Sequence, residues 1–373
     1  MNKKILSILV FSLFVFGTTK AFASLTFSSS AITGTTASTI DVGTGNALSL
    51  QTTNNGAITT GTGMVTLGGG LTLPMTANST SGVIFKGATP FIHNFALAGT
   101  DGNNTFVGLN AGNFTMTGST GVQGSSNTAI GVNSLGVNTI GLENVAIGLN
   151  ALGANTTGSD NVASGNWSLH DNTDGLQNTA IGAVSLRYNT TGSYNVASGD
   201  GALYFNLIGS YNTANGYASL LFNTSSYNTA LGYQAGYGVS TGSRNTIIGN
   251  STITASKNQV TTGSNNISIG NDVAIATATA SNQLDIGNLI YGTALDGTGA
   301  TLSSGNIGIG VKAPAQKLEV NGGVRLNTVT AKPTCDATVR GTFWSFQGGT
   351  GVKDTVEVCA KDVGDAYAWR TIY

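Results

Sequence analysis

Charge is what this sequence has least of. Charged residues make up 8% of its 373 positions, against roughly 25% in an ordinary soluble domain, and the 15 basic and 16 acidic side chains nearly cancel. No Lys/Arg cluster exists to neutralise phosphates, so nucleic acid is excluded as a partner. Proline is scarce, with 4 residues, while glycine reaches 54; without a Gly-X-Y period that balance excludes collagen. Two His and two Cys leave few metal ligands. A phosphate-binding Gly-rich loop ending in Gly-Lys-Ser/Thr, a His-Glu-x-x-His pair, an EF-hand loop and a Gly-Gly-x-Gly-x-Asp calcium repeat are all missing. The sequence thus offers no catalytic residue, no cofactor and no metal site, and reads as a non-enzyme. A hydrophobic share of 40% argues against simple disorder, so folding has to rest on Asn, Thr, Ser, Gly and small apolar side chains.

Residues 1–23 place Lys3 and Lys4 before an apolar run from Ile5 to Phe16 and end in Ala21-Phe22-Ala23. That order is a secretory signal peptide with cleavage after Ala23. The run is too short for the ~20 residues that span a bilayer, and no later stretch reaches that length, so no intrinsic membrane span is expected. Cleavage removes Lys3, Lys4 and Lys20 and leaves 12 basic against 16 acidic residues. The expected location is exported, extracellular or on the cell surface. In an exported chain the local pair Cys335 and Cys359 reads first as a disulfide.

Self-similarity organises the middle of the chain. Asn followed by a short triplet and Gly recurs as Asn127-Thr-Ala-Ile-Gly131, Asn144-Val-Ala-Ile-Gly148, Asn161-Val-Ala-Ser-Gly165, Asn178-Thr-Ala-Ile-Gly182, Asn195-Val-Ala-Ser-Gly199, Asn212-Thr-Ala-Asn-Gly216, Asn228-Thr-Ala-Leu-Gly232 and Asn245-Thr-Ile-Ile-Gly249. The step is 17 residues, with one of 16 between Asn212 and Asn228. Looser copies at Asn104 and Asn266 flank the array, as capping coils flank a solenoid. Each unit combines a strand-like start, a Gly, a second short segment ending in Leu (Leu135 to Leu220) and a turn cassette such as Asn155-Thr-Thr-Gly-Ser159. Two short strands and two turns are expected per coil of a parallel β-roll. Identical Asn side chains stacked one coil apart can hydrogen-bond along the column. Asn155 and Asn189 also head Asn-x-Thr glycosylation sequons, but their place in every turn favours a structural role.

The pattern Asn-Thr/Val-Ala-Ile-Gly-x-x-Ser/Ala-Leu resembles the head repeats of YadA-like trimeric autotransporter adhesins and tail-fibre-like bacterial surface repeat proteins, over about residues 103–275. The resemblance implies a left-handed parallel β-roll, and a homotrimer in which apolar positions face the threefold axis. A thin roll encloses little core by itself, which also favours oligomerisation.

The expected organisation is therefore a signal peptide (1–23), a Ser/Thr/Gly-rich stalk-like β segment (24–90) for which disorder stays open, a β-roll head (91–275), a connector (276–332) and a small disulfide-stapled C-terminal domain (333–373). Phe343, Trp344, Phe346, Tyr367 and Trp369 are the expected core of that domain. The connector resembles the segment before C-terminal modules of fibre proteins; too little chain follows Arg325 for the self-cleaving kind. Tyr367, Trp369, Thr371 and Tyr373 alternate as in the last strand of an outer-membrane barrel, but one strand is no anchor.

His93 is expected to be a packed histidine, and His170, Asp171 and Asp174 a solvated turn. The one candidate ligand surface is aromatic: Tyr194, Tyr211 and Tyr227 precede successive anchoring Asn residues, and Tyr217 and Tyr233 follow two of them. These can be plain ladder packing or a sticky stripe for a host or environmental glycan or matrix protein. The sequence reads as an exported fibrous protein acting in adhesion or as a tail-fibre-like appendage by multivalent display. A structural shaft or matrix component without a ligand, an ice-binding solenoid and a polysaccharide depolymerase are the alternatives.

Overall fold

The structure, a computed structural model, describes residues 82–96, 98–116, 121–251, 260–273, 275–324, 332–346 and 350–372. The signal peptide and nearly all of the expected stalk lie outside the described residues. Among the described residues there is no helix.

Strands β1 (Ile84–Lys86) and β2 (Thr89–His93) form an antiparallel hairpin that pairs with β3 (Thr105–Val107). From β3 onward the chain winds as a β-solenoid of about nine parallel coils with a repeat of about 17 residues. Its strands are β4 (Thr128–Ile130), β5 (Val145–Ile147), β6 (Val162–Ser164), β7 (Thr179–Ile181), β8 (Val196–Ser198), β9 (Thr213–Asn215), β10 (Thr229–Leu231), β11 (Thr246–Ile248), β12 (Ile267–Ile269) and β13 (Leu284–Ile286). Register is strict: Ala129 faces Ala146, which faces Ala163, then Ala180 and Ala197. The parallel ladder runs past residue 275, with Gln283 taking the place of the anchoring Asn: its amide N donates to Asn266 Oδ1 at 2.9 Å. Strand β14 (Ile290–Thr293) turns back antiparallel on β13 and on β15 (Asn306–Ile309), which pairs in parallel with β16 (Leu318–Val320).

Each coil carries one strand, not the two expected. The segment ending in Leu is a tight turn, because Leu135, Leu152, Leu169, Leu186, Leu203 and Leu220 all adopt left-handed backbone with φ between 49° and 53°. Gly112 and Gly236 hold the same column at its two ends, at φ 69° and 64°. That conformation costs a non-glycine residue roughly 1–2 kcal/mol, and complete burial of each Leu, worth about 1.5–3 kcal/mol, offsets it. Left-handed residues also recur just before each anchoring Asn and two positions before each Leu. Proline, locked near −65°, cannot serve at any of these corners, and its scarcity follows.

Two of the columns inside the solenoid are amide. Besides the Ala column of the strands and the Leu column of the turn, two Asn columns are fully buried: Asn127 to Asn228 at the strand start, and Asn138, Asn155, Asn172, Asn189 and Asn206 in the turn cassette. In the first column Asn161 Nδ2 donates to Asn144 Oδ1 at 3.2 Å and to the Gly175 carbonyl at 2.8 Å. Its Oδ1 accepts from Asn178 N and Nδ2 at 2.9 and 3.1 Å. In the second, Asn172 Nδ2 donates to Asn155 Oδ1 and to the Gly175 carbonyl. Every donor and acceptor of the amide is thereby used, which makes its burial affordable. Asn155 and Asn189 are locked in this column, so their sequons are inaccessible in the folded chain.

Between strand and turn the backbones of successive coils come very close. A Cβ on Gly131 would stand 2.3 Å from the Gly148 carbonyl oxygen, and one on Gly165 2.3 Å from that of Gly182; both glycines have φ near 140°.

The C-terminal segment forms a separate antiparallel sheet of β17 (Phe343–Phe346), β18 (Thr355–Lys361) and β19 (Tyr367–Thr371). The Cys335–Cys359 disulfide is present, with Cα atoms 5.4 Å apart. The expected aromatic core is not formed as such. Phe343 is exposed, Trp344, Tyr367 and Trp369 are half-buried, and the Phe346 side chain lies outside the described residues. Among the described residues no second layer closes over these rings, and Cys359 is the buried residue of the sheet.

Candidate interaction surface

The outward face of each coil begins at the left-handed residue before the anchoring Asn and continues through the first and third strand residues. In the later coils the left-handed position holds tyrosine, and the structure draws these into a ladder. Tyr194 and Tyr211 rings lie 4.8 Å apart and Tyr211 and Tyr227 5.0 Å apart, with planes within 2° of parallel. The Arg244 guanidinium, 5.3 Å from the Tyr227 ring, closes the stack. Tyr217 and Tyr233 form a second ladder at 5.3 Å on the far side of the strand. The five expected tyrosines are thus two ladders rather than one stripe. All five are 45–50% exposed.

Stacking decides what these rings can offer. Coil spacing near 4.8 Å places each ring against the next, so inside a ladder the faces are covered and only edges and hydroxyls reach solvent. A sugar that needs an aromatic face finds one only at the end rings, Tyr194, Tyr217 and Tyr233. What remains is a row of phenol groups at coil spacing.

A third ladder lies ten residues after successive anchoring Asn residues. Tyr188, Phe205 and Phe222 stack at 5.5 and 5.3 Å, and Tyr237 meets Phe222 edge-on at 5.0 Å. Arg187 lies between Trp167 and Tyr188, its guanidinium 4.6 and 5.1 Å from their rings, a bridge that position-by-position alignment of the repeats could have exposed.

His170 and Asp171 contact each other, and His170 packs on Trp167 with ring centroids 4.3 Å apart. Asp174 accepts from the Thr157 and Thr173 hydroxyls of the turn. No group of three or more His, Cys, Asp or Glu capable of holding a metal occurs among the described residues. His93 is packed as expected. It is buried, its Nε2 donates to the Ala111 carbonyl at 2.7 Å, and it stacks on Phe114 at 4.1 Å. Burial holds its imidazole below the usual pKa. At the other end of the solenoid Asp285 is fully buried, and its Oδ2 has no hydrogen-bond partner. Burial raises its carboxyl above the usual range, against the opposing pull of the Asn288 amide and Lys312.

Threonine hydroxyls of the turn cassette are spent within the solenoid. Thr139, Thr156, Thr173 and Thr190 each donate to a carbonyl of the next coil at 2.8–3.2 Å. No helix among the described residues is long and apolar enough to cross a membrane. No family model, curated protein or solved structure matches the chain.

Proposed function

We propose that this chain is an exported, non-enzymatic fibrous surface protein that acts in adhesion or as a tail-fibre-like appendage, displaying its β-roll as a homotrimer. The observation that carries this reading is the column at the outward end of the strands, where large apolar side chains recur between the small or polar Ser164, Ser198 and Asn215. Ile130, Ile147, Ile181, Leu231 and Ile248 end their strands 37–49% exposed. An isolated exposed Ile needs no explanation, but a column repeated along the axis suits association with other copies. Three such rolls would repeat every surface feature three times, and multivalency raises avidity without a strong single contact.

The tyrosine ladders are the ligand surface of this reading. Changing Tyr194, Tyr211 and Tyr227 together to Ser, while the solution mass stays that of the parent, is expected to weaken binding to surfaces coated with glycan or matrix protein. Undiminished binding to every target would sink the tyrosine assignment. One observation favours a shaft without a ligand as the second reading: the ring faces already satisfy one another inside the ladders. Parent protein that assembles but binds none of these surfaces would decide for the shaft.

A further inference from the structure

Away from the tyrosines, the early coils carry a groove of about 460 Å³. One wall is a rail of carboxamides. Asn110 Nδ2 donates to Asn133 Oδ1, and Asn133 Nδ2 to Asn150 Oδ1, at 3.1 Å each. The floor is Gly136 and Gly153, and Phe114 and His170 stand at the two ends. The His170 ring sits over Gly153, where an added Cβ would come within 2.8 Å of it. Phe114 is backed by His93 on one face.

The groove exists because of local residue choice, not because the coil requires it. One repeat after His170 the glycine column carries Arg187, then Tyr204 and Leu221, and the asparagine column continues as Trp167, Val184, Gly201 and Ala218. The same backbone therefore accepts large side chains where Gly136 and Gly153 leave space.

We infer that this groove binds a short neutral oligosaccharide with an extended, β-linked backbone. Its volume lies within the usual range for small-ligand sites. No Lys, Arg, Asp or Glu lines it, so an anionic sugar finds no counter-charge. Carboxamides match the paired donor and acceptor character of sugar hydroxyls, and the rail repeats once per coil, about 4.8 Å. One coil is close to the advance of one pyranose along an extended β-linked chain, so each sugar meets one rung, alternate sugars presenting opposite edges to it. From the Phe114 coil to the Gly153 coil, where the His170 ring closes it, the groove spans the three rungs Asn110, Asn133 and Asn150, about two such steps apart end to end. The groove belongs to a single chain, so the inference stands apart from both the trimer and the tyrosine ladders.

Titration of the full mature protein with the β-1,4-linked trisaccharides of glucose and of N-acetylglucosamine, with α-1,4-linked maltotriose as the comparison, tests it. Saturable binding of at least one β-linked trisaccharide is expected, about tenfold or more tighter than maltotriose. Gly136→Tyr fills the floor with a side chain that the column already accommodates at Tyr204, and is expected to cut binding at least about tenfold with melting temperature and solution mass unchanged. Asn133→Ala, in a column that holds Ala218 at φ 51°, is expected to cost roughly fivefold, the worth of one hydrogen bond. Absence of saturable binding by both β-linked sugars, equal binding of maltotriose, or undiminished binding by folded Gly136→Tyr protein would each overturn the inference. Loss of binding in the triple tyrosine variant but not in Gly136→Tyr would overturn it too, and move the sugar to the ladders.

Discussion

Asn144 and Asn155 share one acceptor: the Nδ2 of each donates to the Gly158 carbonyl at 2.9 Å. One residue opens the coil and the other sits in its turn, so the shared oxygen ties strand to turn across the interior. The same convergence recurs at Gly141, Gly175, Gly192 and Gly209.

Removing one rung should therefore be expensive. Asn161→Ala strips Asn178 N of its acceptor and Asn178 Nδ2 of one of its two, and leaves Asn144 Oδ1 with the backbone N–H of residue 161 alone; an orphaned buried polar group costs roughly 1–3 kcal/mol. A loss of about 2 kcal/mol in chemical denaturation is expected, with the exposed Asn166→Ala unchanged to within about 0.5 kcal/mol.

Two glycine substitutions should separate sharply. Gly165→Ala puts a Cβ 2.3 Å from a backbone oxygen at φ 147° and should prevent folding. Gly201→Ala, at φ 65° with its nearest neighbour atom at 3.5 Å, should fold normally, since Ala218 adopts that conformation one coil later. Circular dichroism and thermal melting of the two variants check the contrast.

The two ends of the solenoid should respond oppositely to pH. His93 is held neutral by burial, so its contribution is whole above the free-histidine pKa of about 6.5 and is lost as pH falls through its depressed value. Burial favours the protonated form of Asp285, so its contribution is whole below the ordinary carboxylate range and is lost as pH rises through its elevated value. Hydrogen exchange should show the His93 end loosening on acidification and the Asp285 end loosening toward neutral pH. Asp285→Asn should abolish the second effect and raise stability at neutral pH.

Reduction of Cys335–Cys359 should destabilise the β17–β19 sheet alone. A loop with a sequence separation of 24 is worth about 3.5 kcal/mol on the chain-entropy model, and that sheet shares no strand with the solenoid. Tryptophan fluorescence from Trp344 and Trp369 should report its unfolding while the amide protection of the Ala163 column persists.

The coil repeat was legible because its strongest marks, Asn and Gly, sit where chemistry permits little else: a fully bonded buried amide and a backbone approach that excludes a Cβ. The turn asparagines carried the same period, yet read as turn residues, because a side chain that turns inward looks in sequence like one that caps a turn. The second strand was misread for a different reason. Leu rarely adopts left-handed backbone, so nothing in Leu152 or Leu169 announces a corner; only their neighbours in the column impose it. Phe343 and Trp344 read as a core because bulky rings usually are one, and sequence does not reveal that no second layer among the described residues covers that sheet. The groove went unseen because it is made of what two glycines omit.

The charge scarcity has its reason in the same stacking. A charged column would repeat its charge every ~4.8 Å, whereas Asn, Thr and Ser hydrogen-bond to their own kind.

The mass of the mature protein in solution, measured by light scattering, tests the central claim of the functional reading most directly. The account predicts three times the mass of one chain, reduced when Ile130, Ile147 and Ile181 are changed together to Ser. A monomer that is folded and stable at micromolar concentration would contradict it.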